Sequence, residues 1–229
     1  MRNDITGVAF DLDGTLYPNY RLNIKLIPFL FKESRLVAAF GRVRNIIRAE
    51  QENNPIFPLS DFYHHQAALI AEILGTEPLP LQEKIDRLIY RGWEPLFRNI
   101  KPFSRAAETL AALKTAGLKL GILSDFPPET KLEYLGLSGI WDAQLCSESC
   151  GVLKPHPLPF TELAAAMALP PEKILYVGNS RPYDVAGAYR AGMKTAWIKN
   201  PLFPGTGKKQ PLPDLSFSDY RQLRNFMLN

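Results

Sequence analysis

Two carboxylates one residue apart, Asp11 and Asp13, follow directly on the apolar run Ile5-Thr6-Gly7-Val8-Ala9-Phe10 and precede Gly14-Thr15. An Asx-type turn after a strand accounts for an Asp and a Gly. It does not account for two acids that repel each other, followed by a Thr, in fixed order. Such a pair suits a reaction in which one carboxylate attacks as a nucleophile and the other moves a proton, with positive charge nearby to offset the repulsion.

The elements that must position this pair are legible as alternating short apolar runs and helical patterns. Strands are expected at Ile5–Phe10, Leu118–Leu123, Ala143–Ser147, Ile174–Val177 and Thr195–Ile198, with helices at Phe103–Ala116, Leu158–Leu169 and Val185–Ala191. Asp214–Phe217 and Tyr220–Leu228 read as a last strand and helix. Strand and helix in alternation predict an α/β fold: a three-layer, Rossmann-like parallel sheet. The stretch from Tyr17 to Asn99 departs from this rhythm. It reads as helices at about Leu22–Gln51, Asp61–Leu74 and Leu81–Trp93, interrupted or separated at Pro28, Gly41 and Pro55/Pro58. The expected organisation is therefore a core of residues 1–16 and 100–229 with an all-helical cap, residues 17–99, inserted after the first motif.

Ligands of open α/β sheets bind at the carboxyl ends of the strands. After the second run come Ser124-Asp125, after the third Lys154-Pro155, and after the fourth Gly178-Asn179-Ser180 with Asp184 close behind. Each has a structural reading by itself: a helix cap, a surface charge, an acid in a first helical turn. Together they bring a hydroxyl, a lysine and acid or amide groups toward Asp11 and Asp13.

In these residues the chain resembles the haloacid dehalogenase superfamily of phosphohydrolases. Asp-x-Asp-Gly-Thr matches completely at 11–15. The Ser that ends a strand matches at Ser124, the lysine followed by Pro at Lys154-Pro155, and Gly-Asp-x-x-x-x-Asp at Gly178 and Asp184, with Asn179 where an acid is usual. The resemblance implies a Mg2+-dependent phosphatase acting on a small phosphorylated metabolite through an aspartyl-phosphate. It makes Asp11 the nucleophile and Asp13 the acid/base. Ser124, Asp125 and Lys154 fall on the phosphoryl group, and Asp11, the Asp13 carbonyl, Asp184 and Asn179 around the metal. Asp13 argues against dehalogenation, which needs no leaving-group acid. A sugar-phosphate mutase and a catalytically silent interaction protein of the same fold are the alternatives.

Tyr17, Arg21, Arg42, Arg44 and Arg48 are the candidates for specificity. Lys25, Lys32 and Lys84 have no context that marks a Schiff-base lysine. The seven basic residues between Arg21 and Arg48 face only Glu33 as an acid, and read as a solvated helix face rather than a nucleic-acid surface. Net charge is +4 and the hydrophobic fraction 46%, ordinary for a globular protein with a sizeable core. Cys146 and Cys150 read as reduced cysteines without metal-ligand spacing, and His64 and His65 as surface residues. Gly205-Thr206-Gly207-Lys208 lacks the spacing of a phosphate loop. No run is long enough to span a membrane and no leader pattern stands before Asp11, so the expected setting is cytoplasmic.

Overall fold

The computed structural model of the protein describes residues 4–54, 56–199 and 211–229. Its sheet comprises β1 (Gly7–Phe10), β2 (Lys119–Ser124), β3 (Ala143–Cys146), β4 (Ile174–Gly178), β5 (Lys194–Ile198) and β6 (Leu215–Phe217), all parallel, in the order β3-β2-β1-β4-β5-β6. Strands covered on both faces are apolar throughout, and every residue of β1 and β4 is buried. Alternate residues serve opposite layers. Val8, Phe10, Leu120, Ile122, Leu175 and Val177 join one core cluster, while Ala9, Leu123 and Tyr176 join another.

After β1 the chain enters five helices: α1 (Asn19–Lys32), α2 (Ser34–Glu50), α3 (Phe62–Leu74), α4 (Pro78–Ile85) and, beyond a π-helical turn at Asp86–Tyr90, α5 (Arg91–Trp93). The Asp61 side chain caps α3 by accepting from His64 N at 2.9 Å, and Gly75 ends it at φ 68°, where a Cβ would be strained. These helices bury their own cluster, including Phe40, Val43, Ile47, Ile70 and Ile89, joined by Leu153 from the loop after β3. The sheet helices are α6 (Ala106–Thr115), α7 (Glu129–Tyr134), α8 (Leu158–Ala166), α9 (Ala186–Arg190) and α10 (Tyr220–Leu228). α6 and α10 pack together on one side of the sheet, and α8 lies on the other.

β1 pairs with β2 on one side and β4 on the other. The chain reverses direction across the sheet at β1, which opens a crevice at the carboxyl ends of β1, β2 and β4. Among the described residues no helix is long and apolar enough to cross a membrane.

The structure corrects several expectations. The helix expected over Leu22–Gln51 is two, and it breaks at Glu33 (φ −124°) rather than at Pro28 or Gly41. Pro28 sits within α1 on its exposed side, and Gly41 sits within α2 where an added Cβ meets nothing. The helix α7 is an addition to the expected pattern, and a π-helical turn, Arg181–Val185, precedes α9. His64 is exposed, but His65 is half-buried against Phe57. Cys146 and Cys150 are both free. The Gly205–Lys208 segment lies outside the described residues.

The solvated-face reading of the basic stretch holds for Arg35 and Arg42, which are exposed, and fails for Arg44 and Arg48. Arg44 is 6% exposed; it donates to Glu148, itself buried, and lies over the Phe126 ring at 4.5 Å. Its Nη2 lies 3.4 Å from Asp125 Oδ2, near enough for charge attraction though without hydrogen-bond geometry. Arg48, one helical turn on, donates to Asp125 Oδ2 at 2.8 Å and to the Lys154 carbonyl at 3.0 Å. These contacts fasten α2 to the loops after β2 and β3. Burial pushes the Glu148 carboxyl up even with Arg44 beside it. Arg44→Leu, which strands that carboxylate, is expected to destabilise the protein by about 3–5 kcal/mol in urea unfolding. Arg44→Leu with Glu148→Leu is expected to recover most of that loss.

Candidate active site

Asp11 follows β1, and its N–H donates to Val177 O of β4 at 2.9 Å, which fixes the carboxylate at the mouth of the crevice. Its side chain is buried. Oδ2 accepts from Thr15 Oγ1 at 2.7 Å and Oδ1 from Lys154 Nζ at 2.7 Å. The same ammonium donates to Asp184 Oδ1, also at 2.7 Å, and Asp184 Oδ2 accepts from Ser180 N at 2.9 Å. Gly178 is required for this approach, because a Cβ there would stand 2.2 Å from Asp184 Cβ. One buried ammonium thus serves two buried carboxylates, which leaves a deficit of one positive charge when both are ionised. Burial and the neighbouring Asp184 push the Asp11 carboxyl up to about 7, although Lys154 opposes the shift. Burial would lower Lys154, but Asp11 and Asp184 outweigh it and hold its ammonium well above the usual lysine range.

Asp13 lines the same cavity as Asp11 but has its own partners. Its Oδ1 accepts from Tyr17 OH at 2.5 Å and its Oδ2 from Lys131 Nζ at 2.8 Å, with Ser124 Oγ 3.4 Å from Oδ2. Lys131 also lies over the rings of Phe126 and Phe97, at 4.9 and 5.2 Å. Burial, then the Asp13 charge, push the Tyr17 phenol well above the usual tyrosine range, so it stays a donor. Ser124 Oγ accepts from Phe126 N at 3.1 Å, shaping the loop after β2.

Asn179 follows β4, and its side-chain N–H donates to the Asp13 carbonyl at 3.2 Å. Gly14, at φ 87°, leaves room for it, since a Cβ there would lie 2.0 Å from Asn179 Nδ2. Asp125 lines the same cavity as Asp11 and Lys154, but its carboxylate is taken up by protein donors. It accepts from Ser147 Oγ at 2.6 Å and from Lys154 N at 3.2 Å, besides Arg48. Burial alone would raise its carboxyl, but Arg44, Lys154 and Arg48 outweigh it and hold it well below the usual carboxylate range.

Asp11, Asp13, Ser124, Lys154, Asn179 and Asp184 therefore converge as the sequence suggests, and the Asp125 side chain braces Lys154 and the α2 arginines. Two contacts escaped the sequence reading. Tyr17 bonds Asp13 directly, and Lys131 reaches Asp13 from α7, a helix with no anticipated start. The Thr that a turn alone did not account for, Thr15, holds the Asp11 carboxylate through its hydroxyl. Arg21 instead donates to the Lys101 carbonyl at 2.9 Å, and Arg42 is exposed.

A hard divalent cation would meet only oxygen donors here: the Asp11 carboxylate, the Asp13 carbonyl and, with its amide turned over, Asn179 Oδ1. Among the described residues no three His, Cys, Asp or Glu side chains form a metal cage, so backbone and amide oxygens would have to take part. The one-charge deficit around Lys154 favours an added cation, and the donor set fits Mg2+ in type.

The model for haloacid dehalogenase-like hydrolases matches residues 5–192. A glyceraldehyde 3-phosphate phosphatase of Methanopyrus kandleri is 28% identical, with 96% of this chain and 95% of that protein covered. A phosphoglycolate phosphatase of Salmonella typhimurium is 23% identical, with coverage of 96% and 91%. Among solved structures, an L-2-haloacid dehalogenase superposes with a TM-score of 0.69 at 22% identity, covering 98% of this chain and 99% of that one. A HAD phosphatase from Thermococcus onnurineus gives 0.65 at 21% identity, with 98% of each chain covered. The sheet order, the loops that carry Asp11, Ser124, Lys154 and Asp184, and the family match over most of its length agree: the chain is a hydrolase and belongs to the haloacid dehalogenase-like hydrolase family.

Proposed function

We propose that the protein hydrolyses a small phosphomonoester through a phosphorylated Asp11. The observation that carries this reading is the division of labour between the two aspartates. Asp11 is held by Thr15 and Lys154, and Asp13 independently by Tyr17 and Lys131, each with its own cation. Curated relatives that act as phosphatases on small phosphorylated metabolites support it. So does Asp13 itself, because displacement of a halide needs no proton donor.

In the first step an Asp11 carboxylate oxygen attacks phosphorus as the bond to the alcohol oxygen breaks, and Asp13 gives its proton to that departing oxygen. In the second, Asp13 takes a proton from water as the water oxygen attacks phosphorus; phosphate leaves and Asp11 returns as a carboxylate. Lys154 offsets negative charge on Asp11 and the phosphoryl oxygens, while Ser124 and backbone N–H groups of its loop hold those oxygens. Mg2+, held by Asp11, the Asp13 carbonyl and Asn179 with Asp184 behind them, would supply Lewis-acid neutralisation of the phosphoryl charge. Lys131 and Tyr17 are positioning residues that aim the Asp13 carboxyl. Residues 17–99 act as a cap over the core of residues 1–16 and 100–229, and the α2 arginines are its fastening. The expected cellular setting is the cytoplasm.

Aryl phosphate hydrolysis tests the reading. Release of phosphate is expected to need Mg2+ and to fall by at least about a thousandfold in Asp11→Asn. Release that survives in Asp11→Asn would exclude Asp11 as the nucleophile. Since the metal-free Asp11 carboxyl is raised to about 7, Mg2+ must displace its proton at lower pH. Calorimetry in buffers of different ionisation enthalpy is expected to show about one proton released per Mg2+ at pH 6 and almost none at pH 8.5. Apparent affinity should climb toward tenfold per pH unit below neutrality and level off above it.

A further inference from the structure

Asp13 stands in the walls of two cavities of similar size. One, about 320 Å³, also holds Asp11, Lys154 and Asp184, and so belongs to the phosphoryl group. The other, also about 320 Å³, includes Lys131 but not Asp11. An acid that protonates a leaving oxygen must lie between the phosphoryl group and the departing alcohol, so the second cavity is where that alcohol belongs. Its wall is chiefly apolar and aromatic: Leu22, Leu26, Ile89, Trp93, Phe97 and Phe126 all face it. Trp93 and Phe126 lie with ring centroids 6.3 Å apart, and Phe97 meets the Tyr17 ring edge-on at 5.5 Å.

The charges in that wall also select. Lys131 is already paired with Asp13. Glu94, half-buried, has no ion-pair partner among the described residues and stands in the same wall. A carboxylate on the alcohol would meet Glu94, and Lys131, the cation among the described wall residues, is shared with Asp13. A short alcohol would leave the rings in contact with water, in a space equal to roughly ten waters.

We infer that the alcohol released is uncharged and largely apolar, with the bulk of one or two fused rings or a comparable alkyl group. This rests on the phosphatase reading for the placement of Asp13, and it goes further by naming the substrate class. Burial of the organic group against Trp93 and Phe126 supplies the preference.

Non-hydrolysable phosphonates test it apart from turnover. With Mg2+ present, calorimetry is expected to give benzylphosphonate a Kd at least about tenfold below that of methylphosphonate, with phosphonoacetate no tighter than methylphosphonate. Trp93→Ala is expected to remove most of the benzyl advantage, and Leu22→Ala part of it. Glu94→Gln is expected to tighten phosphonoacetate relative to methylphosphonate. Equal Kd values, or phosphonoacetate as the tightest of the three, would overturn the inference. If that occurs while phosphate release still depends on Asp11, the phosphatase reading stands and only the substrate class falls. If the phosphonates rank as expected but no Asp11-dependent release is found, the cavity's preference stands and the hydrolytic reading falls. Failure of all three to bind overturns the inference as well.

Discussion

One buried ammonium, that of Lys154, holds two buried carboxylates, Asp11 and Asp184, each at 2.7 Å. Three charged groups at this depth are tolerable only because each finds a partner. The pairing reaches widely through the fold. Asp11 is set by its backbone bond to β4 and by Thr15, Asp184 by Ser180 N and the missing Cβ of Gly178, and Lys154 by its backbone bond to Asp125. Three strand ends and the loop after β3 are thereby drawn to one point. The remaining excess negative charge makes that point receptive to a metal cation and to charge-assisted chemistry.

Asp125 links this centre to the helical segment. It takes Arg48 of α2, lies near Arg44, and bonds the backbone of Lys154. Arg44 reaches past it to Glu148, on the loop after β3. The crevice and the helices that overlook it therefore share one network of charges, in which a change on α2 is felt at the backbone of Lys154. Asp13 stands apart from that network. The segment after β1 supplies a hydroxyl to each aspartate, Thr15 to Asp11 and Tyr17 to Asp13, but their cations differ: Lys154 from the loop after β3 for Asp11 and Lys131 from α7 for Asp13.

Much of this was legible in the sequence because a parallel sheet projects its functional residues from strand ends. Apolar runs located the strands, and Asp11, Ser124, Lys154 and Asp184 stood just beyond them. The helical segment was legible as helix but not in its breaks. Pro28 and Gly41 are tolerated because both face solvent, whereas the break falls at Glu33 with no marked sequence signal. Arg44 was misread as solvated. It lies in the apolar stripe of Leu36, Phe40, Val43 and Ile47 at helical spacing, and that position was the available sign of burial. Lys131 left no such sign. Its reach to Asp13 depends on where a six-residue helix begins and on two aromatic faces distant in sequence.

The claim at the centre is that Asp11, and not its neighbour, carries the phosphoryl group. The most direct measurement is borohydride trapping during turnover of an aryl phosphate, followed by peptide mass spectrometry. The account predicts reduction of an acyl phosphate at Asp11 alone, in wild-type protein and not in protein incubated with free phosphate-less buffer. A reduced or phosphorylated residue at Asp13, Ser124 or Asp184, with Asp11 unmodified, would contradict it.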